Sequence, residues 1–278
     1  DEAGIVYCAT RKSVDELTLT LQDAAEKRGL DMRIASYHAG MGMESRTQNQ
    51  QAFVRDDVRV MVATNAFGMG IDKPNVRYVI HNNAPESIEA YYQEAGRAGR
   101  DGDPASCFLL WNGNDLRLRR FFAEQEPDDE QLDEEQRLRA RQNRFRLIAQ
   151  MEGYCKTTGC LREYMLRYFG DEDAAAEVLA HAAETGTGCG NCGNCLTEYE
   201  VEDMTEAARA VMAFVAARPG RFGKSLVADV LHGGKTQRIF ELHLDEAAGY
   251  GSLAAESAGR IRNLIDQLCG RGYLASSQ

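Results

Sequence analysis

Two arginines set three apart, Arg97 and Arg100, stand in the string Tyr91-Tyr-Gln-Glu-Ala-Gly-Arg-Ala-Gly-Arg-Asp-Gly102. Gly96, Gly99 and Gly102 flank them, so the guanidinium groups can reach out of a backbone with little side-chain obstruction. An arginine placed this way can meet the γ-phosphate of a nucleotide held by a neighbouring lobe and stabilise charge as phosphoryl transfer proceeds. A lone Gly-Arg pair would read as a salt-bridged turn, but the full string favours the phosphate reading. A phosphate loop of the form GxxxxGK[ST] would be the natural partner of such an arginine. Gly223-Lys-Ser225 comes nearest, yet the preceding glycine is Gly220, position 218 is arginine, and the triplet follows a helical pattern instead of a strand. It is a decoy. An acidic Mg²⁺ motif of the DE-x-H kind is not found either. The expectation is that this polypeptide alone hydrolyses no ATP.

A second constellation is Cys189-Gly-Asn-Cys192-Gly-Asn-Cys195. Three thiolates at intervals of three can converge on one ion, and the glycines permit the tight turns required. A tetrahedral site needs a fourth ligand, for which Cys155 and Cys160 are the candidates. Eight cysteines in a chain without a signal-peptide pattern favour metal binding or reduced thiols over a disulfide framework. Cys8, Cys107 and Cys269 sit in apolar strands or helices and are expected in the core.

These residues need a scaffold, and the first third of the chain alternates strand and helix patterns. Gly4 to Cys8 is a short apolar run, followed by Ser13 as an N-cap with Glu16 three residues on. Ile34 to Tyr37, Val58 to Ala63, Tyr78 to His81 and Ser106 to Trp111 are expected as buried strands, and Glu44 to Phe53 as a helix. Strands separated by helices imply a parallel sheet with helices on both faces, with chemistry gathered beyond the strand ends. After Trp111 the pattern turns helical, at Asp115 to Phe122 and Glu134 to Met151. Beyond the cysteines, Ala207 to Ala217, Leu226 to Leu231 and Ser257 to Leu268 read as helices, and Tyr273-Leu274 as the opening of a final strand.

With 278 residues, two or three domains are expected. Hydrophobic residues make up 44%, and no apolar run approaches the ~18 residues of a membrane span, so a cytoplasmic protein is expected. The net charge of -11 argues on its face against a nucleic-acid partner. Local patterning weakens that objection. Glu124 to Glu135 holds eight acidic residues and no basic one, whereas Arg137 to Arg146 holds five arginines and no acid. A binding surface needs local positive potential, not a positive total.

The string QEAGRAGRDG resembles motif VI of superfamily 2 helicases in its RecQ form. Ala63-Thr-Asn-Ala-Phe-Gly-Met-Gly-Ile-Asp-Lys-Pro74 is similar to RecQ motif V, Tyr7-Cys-Ala-Thr-Arg-Lys12 to motif IV, and Tyr37-His-Ala-Gly40 to the short motif that follows it. Order and spacing match, and the resemblance covers essentially the whole chain. It implies an α/β RecA-like parallel sheet lobe over 1–118, a helical four-cysteine zinc-binding module over 119–203 and a winged-helix domain over 204–278.

Carried over residue by residue, the resemblance makes Arg100 the arginine finger, Arg97 its partner and Gln93 the coupling to DNA. Asp72 and Gly70 would sit near the nucleotide or in the network that supports it, with Thr64, His38 and Thr10 on the DNA-facing side. RecQ proteins carry a cysteine heading a helix that ends in Tyr-Phe-Gly, as Cys160 to Gly170 does here, so the implied zinc ligands are Cys160, Cys189, Cys192 and Cys195. The 28 residues between the first two ligands would hold an extended helix around Ala174 to Ala183.

Asp229-Val-Leu-His-Gly-Gly-Lys235 lies near a string of the family's winged helix, which makes Lys224, Lys235, Arg238, Arg260 and Arg262 candidate phosphate contacts; a wing hairpin has room only at Phe240 to Tyr250. The implied activity is that of a 3′-to-5′ DNA helicase of recombination and repair, in the cytoplasm at the nucleoid. One structural zinc is implied, and ATP with Mg²⁺ binds only with a first motor lobe that these residues lack. Implied partners are single-stranded DNA, its junctions with duplex, the single-stranded-DNA-binding protein and other repair factors, but no membrane. A non-catalytic DNA-binding module is the main alternative; the Arg97 and Arg100 pair speaks against it. A zinc-ribbon regulator is a third reading, which the strand-helix first half does not support.

Overall fold

A computed structural model describes residues 2–68, 72–125, 133–197, 202–270 and 273–275. Contacts divide the chain into two units, Asp1–Cys155 and Lys156–Gln278.

In the first unit, β1 (Ala3–Tyr7), β2 (Ile34–Tyr37), β3 (Val60–Ala63), β4 (Val76–His81) and β5 (Ser106–Leu109) form one sheet in the order β2-β3-β1-β4-β5. Every pairing is parallel. Parallel strands buried on both faces read as continuous apolar runs, which explains GIVY and VMVA. Side-chain alternation then splits them: Ile5, Tyr7, Met61 and Ala63 face a core with Phe53 and Phe67, while Val6, Cys8, Val60 and Val62 face another with Val14. Val14 lies on α1 (Arg11–Lys27) and Phe53 on α2 (Met43–Val54), so helices from both sides complete the layers.

Two expectations are corrected here. Thr10, not Ser13, caps α1: its backbone is extended and its Oγ1 accepts from the Ser13 N–H at 3.0 Å, which puts Ser13 inside the first turn. β5 is not a buried strand. It is one of the two sheet edges, with a strand neighbour on one side only among the described residues, and Ser106, Cys107 and Phe108 are exposed. Cys107 is therefore not a core residue, whereas Cys8 is buried and Cys269 half-buried.

α3 (Ile88–Ala95) follows β4, and α4 (Gly113–Gln125) and α5 (Glu134–Lys156) follow β5. The buried Asp115 ties α4 to the end of β4 by accepting from the Ala84 N–H, from Asn83 Nδ2 and from the Asn112 N–H.

The second unit opens with α6 (Leu161–Tyr168), packed on α7 (Glu172–Thr185), and the short α8 (Gly193–Leu196). The helix expected around Ala174 to Ala183 is α7, closed by Gly186 in the left-handed region. Then α9 (Thr205–Ala216), α10 (Lys224–His232), α11 (Gln237–Glu241) and α12 (Ala258–Gly270) enclose Val211, Phe214, Val227, Leu231, Ile239 and Ile261. The periodicity marks α9, α10 and α12; α11, only five residues long, is too short for periodicity to mark.

Residues 240–250, the only room for a wing hairpin, form the end of α11 and a series of turns. Tyr273-Leu274 is not a strand: both backbone N–H groups fold back onto the carbonyl of Leu268 in α12. Among the described residues, no helix is long and apolar enough to cross a membrane.

Candidate nucleotide and nucleic-acid interface and the four-cysteine metal centre

Ser87 caps α3 by accepting from the Ala90 N–H at 3.1 Å, and the helix runs out at Gly96 into the turn that carries both arginines. That turn is fastened at two points. The Gly99 N–H donates to the Val76 carbonyl at 2.9 Å, and Asp101 accepts from Arg77 Nη2 at 2.5 Å. Gly99 and Gly102 have φ of +66° and +89°, conformations that a side chain would strain. Arg77 is also what holds the Asp101 carboxyl below the usual carboxylate range.

The two guanidinium groups have different surroundings. Arg97 is half-buried against Gly68, where an added methyl would lie 2.4 Å from its Nη2, and its Nε is buried without a partner among the described residues. Tyr7 lies beside it, donating its hydroxyl to the Phe67 carbonyl at 2.9 Å; burial pushes that phenol well above its ordinary range against the pull of Arg97. Arg100 is exposed. Its Nε reaches the Gly96 carbonyl at 3.3 Å, and its Nη1 lies 3.7 Å from Asp72, whose side chain is 91% exposed. An ion pair this long and wet contributes about 0–1 kcal/mol and yields readily to a better anion.

Gln93 is exposed on α3, one residue before Glu94. The Glu94 carboxyl is hydrogen-bonded to His81 Nε2 at 2.9 Å, and the His81 ring is buried between Tyr7 and Tyr91. Gly70 lies outside the described residues. Nothing local in the sequence marks Tyr7, Gly68, His81 and Glu94 as supports, because each is ordinary core or loop until the turn packs on it.

A cavity of about 300 Å³ opens beyond the ends of β1, β2 and β3, lined by Thr10, Arg11, Ala39, Thr64, Asn65 and Phe122 among others. Thr10 and Thr64, expected on one face, do meet there. Arg11, Asn65 and Phe122 were not anticipated. His38 stands apart: its Nδ1 accepts from the Gly40 N–H at 3.2 Å and its Nε2 bonds Asp15 at 3.0 Å. Both ring nitrogens are thus consumed inside the lobe, and His38 shapes the 38–42 turn without offering a donor to a ligand.

Cys160 is the N-cap of α6, where its Sγ accepts from the Glu163 N–H at 3.4 Å. Cys189, Cys192 and Cys195 come from the loop into α8, and the four Sγ atoms all lie within 4.8 Å of one another. Four thiolates around zinc at Zn–S of about 2.3 Å stand roughly 3.8 Å apart, so the quartet fits the ion with small adjustment. Gly188, at φ +60°, leaves room that a methyl would fill at 2.3 Å from Cys195 Sγ. Asn194 braces the loop by donating to the carbonyls of Thr157 and Gly159.

Burial raises the Cys192 thiol, but N–H donors from Cys195 and Leu161 outweigh it and bring the group down to about 7. Cys195 is pushed up to about 12 by burial and by its thiol neighbours. Metal-free, the cluster tolerates little negative charge; a dication is what allows all four to ionise. With four protein ligands and no open position, this is a structural zinc site.

In the second unit, Lys224 is not a free cation. Its amine bonds Asp266 at 2.7 Å, as Lys156 does at 3.2 Å. Gly223 is the N-cap of α10, but helix α9 and not a strand precedes it and Arg218 stands where the first glycine would be, so the strand-loop-helix order of a phosphate loop is missing. Arg260 pairs with Glu202 and Glu256, and Arg262 Nη1 lies 3.7 Å from Asp229. Lys235 and Arg238, flanking the start of α11, are exposed and have no ion pair among the described residues.

Burial opposes ionisation of Asp266, but the two lysines outweigh it and hold the carboxyl below the usual carboxylate range. A depressed folded-state value stabilises above the unfolded value of about 3.9 and is lost as pH falls through the folded one. Asp266→Asn is therefore expected to lower the second unit's stability by roughly 1–2 kcal/mol at neutral pH. Thermal melts across pH check this: the wild-type advantage must close in acid, and an advantage constant down to about pH 2 contradicts it.

Three families match consecutive stretches of the chain: Helicase conserved C-terminal domain over residues 1–102, RecQ zinc-binding over 113–196 and RQC domain over 198–278. The ATP-dependent DNA helicase RecQ of Bacillus subtilis is 39% identical over 99% of this chain and 42% of its own length. The RecQ-like DNA helicase BLM of Xenopus laevis is 32% identical over 96% of this chain and 20% of its own. The chain thus spans less than half the length of these relatives. Among solved structures, a DEAD box protein from Methanococcus jannaschii aligns with 45% of this chain and 33% of its own at 23% identity and a TM-score of 0.37, too partial a likeness to add to the domain matches. With three matches that succeed one another along the chain, and a cysteine quartet that lies inside the zinc-binding match, the chain belongs to the RecQ family of helicases.

Proposed function

We propose that this chain is the part of an ATP-dependent DNA helicase that senses the nucleotide and grips DNA, and that it becomes a motor only with a phosphate-loop lobe. The 278 residues contain no GxxxxGK[ST] string, so ATP and Mg²⁺ must be held largely by residues outside them. The observation that carries the reading is Arg100: exposed, loosely paired, and mounted on a turn fastened to β4 by Gly99 and Arg77. A guanidinium so held can stabilise charge spreading over the γ-phosphate as bonds to it lengthen. Arg97, wedged against Gly68 and Tyr7, fixes the turn's approach, and Gln93 on the adjoining helix relays closure to DNA. Asp72 and Gly70 support the same site.

Single-stranded DNA runs over the cavity at the ends of β1 and β3, with Thr10 and Thr64 toward its phosphates and His38 ordering the rim. Lys235 and Arg238 meet duplex phosphates at a junction. Cycles of lobe closure move the enzyme 3′ to 5′, in recombination and repair. The single-stranded-DNA-binding protein and other repair factors belong to the same proposal.

The test is a fusion of this chain to a RecQ-type phosphate-loop lobe. ATP hydrolysis that requires DNA supports the reading. Hydrolysis by the 278 residues alone, or DNA-dependent hydrolysis indifferent to Arg100, overturns it.

A further inference from the structure

α4 buries Leu116 and Ala123 yet leaves its two aromatic side chains, Phe121 and Phe122, 53% and 38% exposed. Phe122 forms a wall of the cavity beyond β1 and β3, and the Phe121 ring stands 6.1 Å from it at a tilt of 53°. The other walls carry two hydroxyls, one amide and the guanidinium of Arg11. In a chain of net charge -11, the described residues that line this cavity include a cation and no carboxylate. Such a pocket is complementary to an anion. Its single aromatic face has no role in that complementarity, and an exposed ring beside phosphate-suited donors is the arrangement by which single-stranded nucleic acid is held: backbone on the polar groups, base on the ring.

We propose that Phe122 is a base-stacking platform, on which an unpaired nucleobase of single-stranded DNA lies while its phosphate meets Thr10, Arg11 and Thr64. The inference rests on the DNA-facing reading of this cavity and adds what the reading lacks, a site for the base. Stacking tolerates any base, because each has a π-face, so the platform suits translocation without sequence preference.

The experiment measures binding of the full chain to a fluorescent oligo-dT and to an abasic oligonucleotide of equal length. The wild type binds oligo-dT more tightly. Phe122→Ala weakens that binding about 5- to 100-fold and erases the distinction from the abasic strand, with the salt dependence unchanged. Phe122→Trp keeps the preference, while Phe122→Leu behaves as alanine. Arg11→Ala instead weakens both strands and lowers the salt slope by about one.

If Phe122→Leu binds as wild type, the side chain is apolar packing only and the platform is refuted. If Phe122→Ala is silent while Arg11→Ala is not, the platform fails but the DNA face stands. If neither substitution moves binding, the DNA face itself is wrong. Melting temperatures of the variants separate these outcomes from misfolding.

Discussion

Replacing Cys192 with serine will leave the chain without bound zinc and open residues 156–197 to protease. The reason is that this stretch buries very little of itself. Only Ala175 is fully buried there, and α6 buries no residue at all. Among its polar anchors, those of Asn194 to two carbonyls and of Arg167 to Glu163 and Glu172 are exposed or half-exposed bonds of small net worth. A structural zinc contributes roughly 10–16 kcal/mol of apparent binding energy, as much as a whole domain's stability.

Removing Cys192 takes a thiol that lies 4.0 Å from Cys160, the ligand at the N-cap of α6. Metal content by mass spectrometry and limited proteolysis check the outcome. A metal-free Cys192→Ser chain that resists protease through 156–197 contradicts it, and Cys155→Ser, outside the quartet, is the control that must retain the metal.

In the fusion carrying a phosphate-loop lobe, Arg100→Ala will lower kcat for ATP by roughly a thousand-fold to a hundred-thousand-fold, the range associated with loss of an arginine finger. KM for ATP should change little, because the contact strengthens only as charge develops on the γ-phosphate. Single-stranded DNA binding should stand. Lysine will not rescue, since one ammonium cannot reproduce the planar fork of donors. Arg100 suits this test better than Arg97, whose guanidinium packs on Gly68 and beside Tyr7, so that its loss also disturbs the turn. ATPase activity within a few-fold of the parent fusion overturns the assignment.

Chemistry that lies within one short stretch of chain was legible in the sequence. The CxxCxxC string and the glycine-flanked arginines proposed for the γ-phosphate each lie within a dozen residues, so the turn that presents their side chains is built from the same short stretch. The parallel sheet was legible for a similar reason: runs such as GIVY and VMVA are apolar on both faces only where both faces are covered. β5 misled because SCFLLW has the same apolar character, and nothing local says that a strand ends a sheet.

Partners distant along the chain were not legible. Lys224 resembles a DNA contact until Asp266, 42 residues away, takes its amine. His38 resembles a phosphate donor until Asp15 and Gly40 claim both nitrogens. By itself the sequence determined which thiols can converge on a metal and which arginines are proposed to meet a γ-phosphate, because thiolate and guanidinium chemistry follows from residue type and spacing. Tertiary structure decided which charges stay free and that Thr10, Arg11, Thr64, Asn65 and Phe122 share a cavity, because the parallel strands and α4 bring together residues far apart in sequence, and pairing depends on distance in space.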